Sequence, residues 1–513
     1  MELDKDLKSR QEARHLAEAA HAAYEKLKGF SQQQLDAIVK AMAQAAEEHA
    51  LRLGQLAAEE TGFGNARDKA EKNRFAAEKV YAAIKDLPTV GILHRDEKRK
   101  VWDVGVPVGV ICAIVPSTNP TSTAIYKALI CLKAGNPVVF SPHPKALCCT
   151  LEAVRILAAA AEQAGCPTGA LSCLTMPTME AVQELMKHER IRLILATGGP
   201  GMVHAAYSSG KPAIGVGAGN GPCYIHPSAE ERQAVADILH SKTFDNGTIC
   251  ASEQSVVVQE SNAASVKAEF ARQGGYFLSE AEAGRLAKLL LRPDGSINPQ
   301  VVGKTALQLA QMAQITVPGD TKVLIAYETQ AGPTRPYSRE KLCPVLAFFV
   351  EKSEDSVLRR AIEVLEQEGA GHTFSIHATD AAVIERFALQ VPVSRFLVNT
   401  PSSLGGIGST TGLFPALTLG CGAVGGSSSS NNIGPLDLVN IRRVAWGEKT
   451  ASKPEQGWGA ENSECHTQRK RQALSTDRPT VKAEAAANTG HPDSALIEEL
   501  TQKILQRLNS QQG

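Results

Sequence analysis

Apolar residues recur at helical spacing through alanine-rich, charged segments from about Leu7 to Leu27 and from Gln32 to Glu60, which predicts helices. The TGFGN stretch Thr61–Asn65 breaks this pattern, and a further helix is expected over Ala66–Leu87, stopped by Pro88. From Val101 the pattern changes. Val108–Val115 reads as a buried strand, Ser122–Lys133 as a helix ended by Gly135, Asn136–Phe140 as a short strand and Leu147–Gln163 as a helix ended by Gly165. Ile191–Ala196 is then a strand running into TGGPGM, with a helix from about Met202 and a strand at Ala213–Val216. Alternating strands and helices with glycine turns predict a doubly wound parallel sheet, an α/β architecture whose ligands lie at the carboxyl ends of its strands. Two turns stand at such ends, Ser141–Lys145 and Thr197–Gly201.

A second α/β unit is expected from about Pro222 to Leu419. Its elements are a helix at Glu230–Phe244, strands at Ser255–Gln259, Lys322–Tyr327 and Arg395–Asn399, a strand-rich run EKLCPVLAFFV at Glu340–Val350, and a helix at Glu354–Glu368. Leu404–Pro435 holds nine glycines between Gly405 and Gly434, yet its FPALTLGCG is too apolar for a solvated tether, so a folded loop near the site or an interface is expected. Between Gly447 and Pro492 the only Leu, Ile, Val or Phe residues are Leu474 and Val481, a composition that predicts a disordered linker. In 493–513, Leu496, Ile497, Leu500, Ile504, Leu505 and Leu508 then form an amphipathic helical stripe, which is marginal alone and gains by docking.

Composition narrows the function. The 513 residues carry 54 basic and 54 acidic side chains, which gives no global electrostatic case for nucleic acid. The apolar runs are too short to span a bilayer, and MELDKDLKSR lacks a signal core, so a cytoplasmic protein is expected. Eleven cysteines, several within apolar runs, fit a reducing compartment; no C-x-x-C pair or zinc-type spacing occurs, and no metal is expected.

Cys250 lies in TFDNGTICASEQS, between a predicted helix and a predicted strand and beside turn-forming Asn246, Gly247 and Thr248. That placement suits a nucleophilic thiol and equally a small packed hydrophobe. GVGAGNG at Gly215–Gly221 imitates a dinucleotide fingerprint, but it does not clearly open a helix and reads equally as a tight turn.

The segments Val115–Ala146, Ile194–Pro222 and Lys242–Ser255, followed by EKLCPV (Glu340–Val345) and LTLGCGAVGG (Leu417–Gly426), occur in this order. Together they closely resemble the CoA-acylating aldehyde dehydrogenases, over about residues 5–446. The resembled group includes the aldehyde dehydrogenase half of bifunctional aldehyde–alcohol dehydrogenases and the acylating enzymes of bacterial microcompartments. The resemblance implies an aldehyde dehydrogenase fold: a mainly NAD/CoA-binding, Rossmann-like domain over 1–221, a catalytic domain over 222–419 and a return segment for oligomerisation over 420–446. It makes Cys250 the nucleophile that forms a thiohemiacetal and then a thioacyl-enzyme, and Asn119 an oxyanion donor beside the Cys250 backbone N–H. Glu340 is implied to hold the nicotinamide ribose, and Ser141, Pro142, His143, Thr197, Gly198 and Gly199 to bind NAD. His372 is either a base for the CoA thiol or a packed histidine.

Hydrolytic members carry a water-activating glutamate in an ELGG-type motif. The matching stretch here is VGAGN, with Val216 at that position and no carboxylate from Lys211 to Ser228. Transfer of the acyl group to CoA is therefore expected, with acetaldehyde or propionaldehyde as substrate and a homo-oligomeric enzyme. The tail over 493–513 resembles encapsulation peptides, which implies microcompartment shell or core proteins as partners and a microcompartment lumen as location. A non-catalytic scaffold recruiting partners through that tail, a hydrolytic dehydrogenase and an acyl-phosphate reductase are the competing readings.

Overall fold

In the computed structural model the described residues are 4–293 and 295–448. The expected linker beyond Glu448 and the expected terminal helix lie outside them.

The first helix spans Lys5–Leu27. The next begins at Gln32 behind a Ser31/Gln34 capping box. It ends at Glu48, and the single helix expected over Gln32–Glu60 is two, Gln32–Glu48 and Ala50–Thr61. At the break, the His49 ring Nδ1 lies 2.9 Å from the Ala45 carbonyl, the acceptor its own N–H also uses. Gly62, at φ 65°, closes the second of these helices in the left-handed conformation that glycine takes without strain. The helix expected over Ala66–Leu87 runs as an α segment Ala66–Arg74, a π turn Phe75–Val80 and a last turn Tyr81–Ile84. The wider π turn lets Phe75, Ala76, Ala77 and Val80 all reach the core.

A five-stranded parallel sheet has the spatial order Leu171–Cys173, Val138–Ser141, Val110–Ile114, Ile191–Thr197, Ala213–Val216. The chain enters at the middle strand, whose residues are all buried, builds outward to one side, and then crosses to the other. The strand order therefore reverses between Val110–Ile114 and Ile191–Thr197, the place where an open α/β sheet parts to admit a ligand. Helix Pro120–Lys133, two residues longer at its start than expected, is buried along its whole length. Its Lys127 Nζ donates to the Ile114 and Leu195 carbonyls at 2.7 and 2.8 Å, tying the two strands together just below that crevice. Burial pulls this ammonium down to about 7. Helix Leu147–Gln163 and strand Ala213–Val216 have the expected bounds, whereas the helix expected from Met202 starts at Pro200 and Leu171–Cys173 was not anticipated.

A seven-stranded parallel sheet follows, ordered Gly275–Phe277, Val323–Tyr327, Val345–Glu351, Glu253–Gln259, Gly221–Ile225, Gly371–His377, Val393–Val398. The helix ending just before the nucleophile loop spans Glu231–Thr243. GVGAGNG opens no helix; it leaves strand Ala213–Val216 and enters strand Gly221–Ile225, which carries the chain from one sheet to the other. The third sheet is antiparallel, Gly91–Asp96, Val101–Pro107 and Val439–Ala445, with the last strand returning to pair Val439 with Pro107 and Ala445 with Val101. Its first two strands were not expected, and most of their residues are not buried.

The glycine- and serine-rich stretch is folded, and part of it covers the outer edge of strand Ala213–Val216. Ser427 Oγ donates to the Gly215 carbonyl and Ser428 Oγ to the Ala213 carbonyl, both at 2.7 Å. The Tyr207 hydroxyl accepts from the Gly215 and Ser428 N–H groups at 2.9 Å each. An edge that would otherwise offer free backbone groups is thereby closed.

Candidate active site

A cavity of about 520 Å³ opens at the carboxyl ends of the five-stranded sheet. Its walls come from the segments after all five strands, including Ser117, Asn119, Pro142, Pro177, Gly198 and Gly217, from the strand end Val216, and from Thr248–Cys250, Glu340 and Leu342. Cys250, Asn119, Ser141, Pro142, His143, Thr197, Gly198, Gly199 and Glu340, expected to share a site, all line it. His372 does not. It lies on strand Gly371–His377, buried, with Nδ1 2.8 Å from Thr373 Oγ1 and Nε2 without a partner. Burial, reinforced by the Arg395 guanidinium, holds its imidazole well below the ordinary histidine range.

The nucleophile loop is shaped by three consecutive left-handed residues, Asp245, Asn246 and Gly247, at φ 48°, 52° and 79°. Asn and Asp tolerate that region better than other non-glycine residues, and Gly247 enters it freely. They turn the chain sharply after helix Glu231–Thr243, and Thr248–Cys250 then faces the cavity before strand Glu253–Gln259 begins. The loop is held from the opposite side by Gly219. A Cβ built there would lie 1.9 Å from the Cys250 carbonyl oxygen, so GVGAGNG serves as a close backbone support for the thiol-bearing loop.

Cys250 is half-buried. Burial, the neighbouring Glu340 carboxyl and Cys421 push its thiol up to about 12, against the opposing pull of the buried Arg395 guanidinium. Glu340 accepts the Gly219 N–H at 3.0 Å, while its own N–H donates to Glu368 at 2.9 Å. Burial and the Glu368 charge push its carboxyl up to about 8. Asn119 sits as N-cap of helix Pro120–Lys133; its Nδ2 donates to the Thr248 carbonyl at 3.0 Å and lies 3.2 Å from Thr118 Oγ1.

Sequence reasoning missed Lys72, which also lines the cavity and is buried. The signal was faint: Lys69, Lys72 and Asn73 lie on one helical face in a segment that reads as a solvated charged helix. The glycine-rich stretch, expected as a folded loop near the site or an interface, reaches the wall of the cavity through Leu417 and Leu419.

A dinucleotide suits this cavity on three observations. It lies where the strand order reverses, and the helix Pro200–Tyr207 begins at its rim behind Gly199, where an added Cβ would meet nothing within 4 Å. Apolar Ile114, Val115, Pro142 and Leu419 offer flat walls, and Glu340 offers an acceptor for sugar hydroxyls.

The aldehyde dehydrogenase family profile matches residues 5–275. The bifunctional aldehyde-alcohol dehydrogenase AdhE of Escherichia coli K12 is 44% identical over 435 residues, covering 84% of this chain and 49% of that protein. The chain thus spans about half the length of the first curated relatives it matches. Among solved structures, an acetylating aldehyde dehydrogenase from Geobacillus thermoglucosidasius is 52% identical, with a TM-score of 0.86 over 88% of this chain and 99% of that one. A propionaldehyde dehydrogenase from the Clostridium phytofermentans fucose utilisation bacterial microcompartment is 31% identical, with a TM-score of 0.78 over 85% and 98%. With profile, sequence and fold in agreement, the chain belongs to the aldehyde dehydrogenase family.

Proposed function

We propose that the chain is an NAD-dependent, CoA-acylating aldehyde dehydrogenase that acts on a short-chain aldehyde, acetaldehyde or propionaldehyde. The observation that carries this reading is a cavity that gathers Cys250, Asn119 and Glu340 and is lined by Val216, where the resemblance would put a water-activating carboxylate in hydrolytic members. In it, the Cys250 thiol gives up its proton to water, and the thiolate Sγ adds to the aldehyde carbon as the C=O π pair moves onto oxygen. The oxyanion of the resulting thiohemiacetal is met by the Cys250 N–H and by an Asn119 N–H turned from its 3.2 Å contact with Thr118. When bound, NAD supplies the hydride acceptor and CoA the acyl-accepting thiol. Glu340, fixed by the Gly219 N–H, accepts from the ribose hydroxyls. Ile249, Ile407, Leu417 and Leu419 surround the acyl group with apolar wall, which suits a small unbranched chain.

Hydrolysis of the thioester needs a base for water. Glu340 is the one carboxylate among the lining residues, and it is engaged by the Gly219 N–H and reserved for the ribose hydroxyls rather than for water. The acyl group therefore waits on Cys250 for a thiol; His372, buried off the cavity wall with its imidazole held well below the ordinary histidine range, fits the packed-histidine reading better than that of a base for this thiol. The test is NADH formation from aldehyde and NAD with and without CoA. Sustained turnover is expected only with CoA; equal rates in both would overturn the acylating reading.

A homo-oligomer, formed through the three-stranded sheet, fits the exposure of Ile92 and Ile441 on its strands. Residues 493–513 are read as an encapsulation peptide, which places the enzyme in a bacterial microcompartment. This rests on the helix-like spacing of their apolar residues in the sequence and on likeness to an enzyme described from such a compartment. A fluorescent protein fused to residues 490–513 is expected to form foci only in cells making a shell; diffuse signal in those cells would refute the assignment.

A further inference from the structure

Below Asn119 lies a buried group of charges that neither the family resemblance nor the proposed chemistry uses. Lys69 and Lys72, from helix Ala66–Arg74, both meet Asp245, one of the left-handed residues of the nucleophile loop. All three side chains are at most 3% exposed. Lys72 Nζ donates to Asp245 Oδ2 at 2.5 Å, to Asn119 Oδ1 at 2.6 Å and to Thr248 Oγ1 at 3.2 Å. An ammonium has three hydrogens, so these acceptors use its full capacity and leave none for a substrate. Lys69 Nζ donates to Asp245 Oδ2 at 3.0 Å and to the Thr118 carbonyl at 2.9 Å, and Asp68 accepts the Asp245 N–H at 2.7 Å.

We propose that Lys72 is a positioning residue for the carbonyl-polarising amide of Asn119, an inference that rests on the Asn119 role assigned above. The chemistry of the partners leaves the amide one orientation. The ammonium only donates, so the amide oxygen faces Lys72; the Thr248 carbonyl only accepts, so the NH2 group faces the nucleophile loop. An end-for-end flip would set NH2 against ammonium and oxygen against oxygen. The cation also withdraws electron density from the amide oxygen and strengthens the N–H on the other side, in a setting where little water screens it. Lys72 thereby links the helix Ala66–Arg74 to both partners of the oxyanion, the Asn119 side chain and the loop that presents Cys250.

A double-mutant cycle tests this in the full-length protein. Asn119→Ala should lower kcat by about 10²–10³-fold. Lys72→Met, similar in length and without a donor, should lower it about 10- to 100-fold, the worth of one charge-assisted hydrogen bond, with the KM for NAD unchanged. In the Asn119→Ala background, Lys72→Met should cost clearly less than in the wild type, because the amide it orients is gone and only its hold on the nucleophile loop through Asp245 and Thr248 is left to lose. Lys72→Gln, which keeps an N–H donor without charge, should fall between wild type and Lys72→Met, and it replaces the methionine variant in the cycle if that one does not fold. Thermal melts and NAD dissociation constants of each variant separate site effects from folding. Full additivity, or a Lys72→Met enzyme with wild-type kcat, would overturn the positioning role alone. An Asn119→Ala enzyme with wild-type kcat would overturn it together with the assignment of Asn119.

Discussion

Replacing Cys250 with alanine is expected to lower NADH formation from aldehyde, NAD and CoA by about 10⁴-fold or more, while NAD still binds. The loss is large because the thiol makes and breaks the bond to the acyl group, so no neighbouring side chain can substitute for it. The site has a second signature in the intact enzyme. A thiol pushed up to about 12 by burial and by Glu340 is about 10⁻⁵ thiolate at neutral pH. Without cofactor, alkylation of Cys250 by iodoacetamide should therefore be slow and rise about tenfold per pH unit from 7 to 10, read by mass-spectrometric peptide mapping. Mapping matters because Cys148 is exposed and will also react. An alanine variant with wild-type turnover would remove Cys250 from the mechanism.

Gly219→Ala is also expected to be damaging, although position 219 carries no reactive group. The added methyl would fall 1.9 Å from the Cys250 carbonyl oxygen, 2.8 Å from its carbonyl carbon and 3.2 Å from His372 Cε1. No side-chain rotation relieves a contact between a Cβ and backbone, so the loop must move. Overpacking of this kind costs at least about 1–3 kcal/mol of stability. A nucleophile displaced by about 1 Å loses on the order of 10²-fold in rate. A lowered melting temperature together with a kcat loss of that size is the expected result. Gly284→Ala is the control, since its methyl meets nothing within 4 Å and its helix Glu280–Leu290 gains an alanine. If Gly219→Ala behaved like that control, Gly219 would not be the support of the loop.

Elements whose apolar period and burial agree were legible from sequence. Leu147–Gln163 and Ala213–Val216 have the expected bounds, and the helix and strand flanking Cys250 stand where the spacing put them. The strands Gly91–Asp96 and Val101–Pro107 were not, because their stability comes from each other and from a partner more than 330 residues later, and their exposed faces show no clean alternation. The same separation hid Lys72. Seen locally, it is one charge on a charged helix; it becomes buried only when Asp245, 173 residues away, folds against it. Glycine-rich GVGAGNG was ambiguous for a related reason, since a chain crossing beneath another backbone and a chain cradling phosphate need the same missing side chains. Cys250 itself was legible as a nucleophile only through several motifs together. Their shared meaning is spatial, and the cavity brings those segments to one place.

The sealed edge of the five-stranded sheet has a consequence in time. Strand Ala213–Val216 completes that sheet, but the Ser427 and Ser428 hydroxyls that cover its outer carbonyls lie more than 200 residues further along the chain. At ribosomal rates that interval is roughly 10–40 s. During it, the nascent chain carries a finished set of parallel strands with one unsatisfied border, beside the half-made crevice. The emerging protein is thus most exposed to pairing with another copy midway through its own synthesis, and sealing by residues 427–428 ends that window.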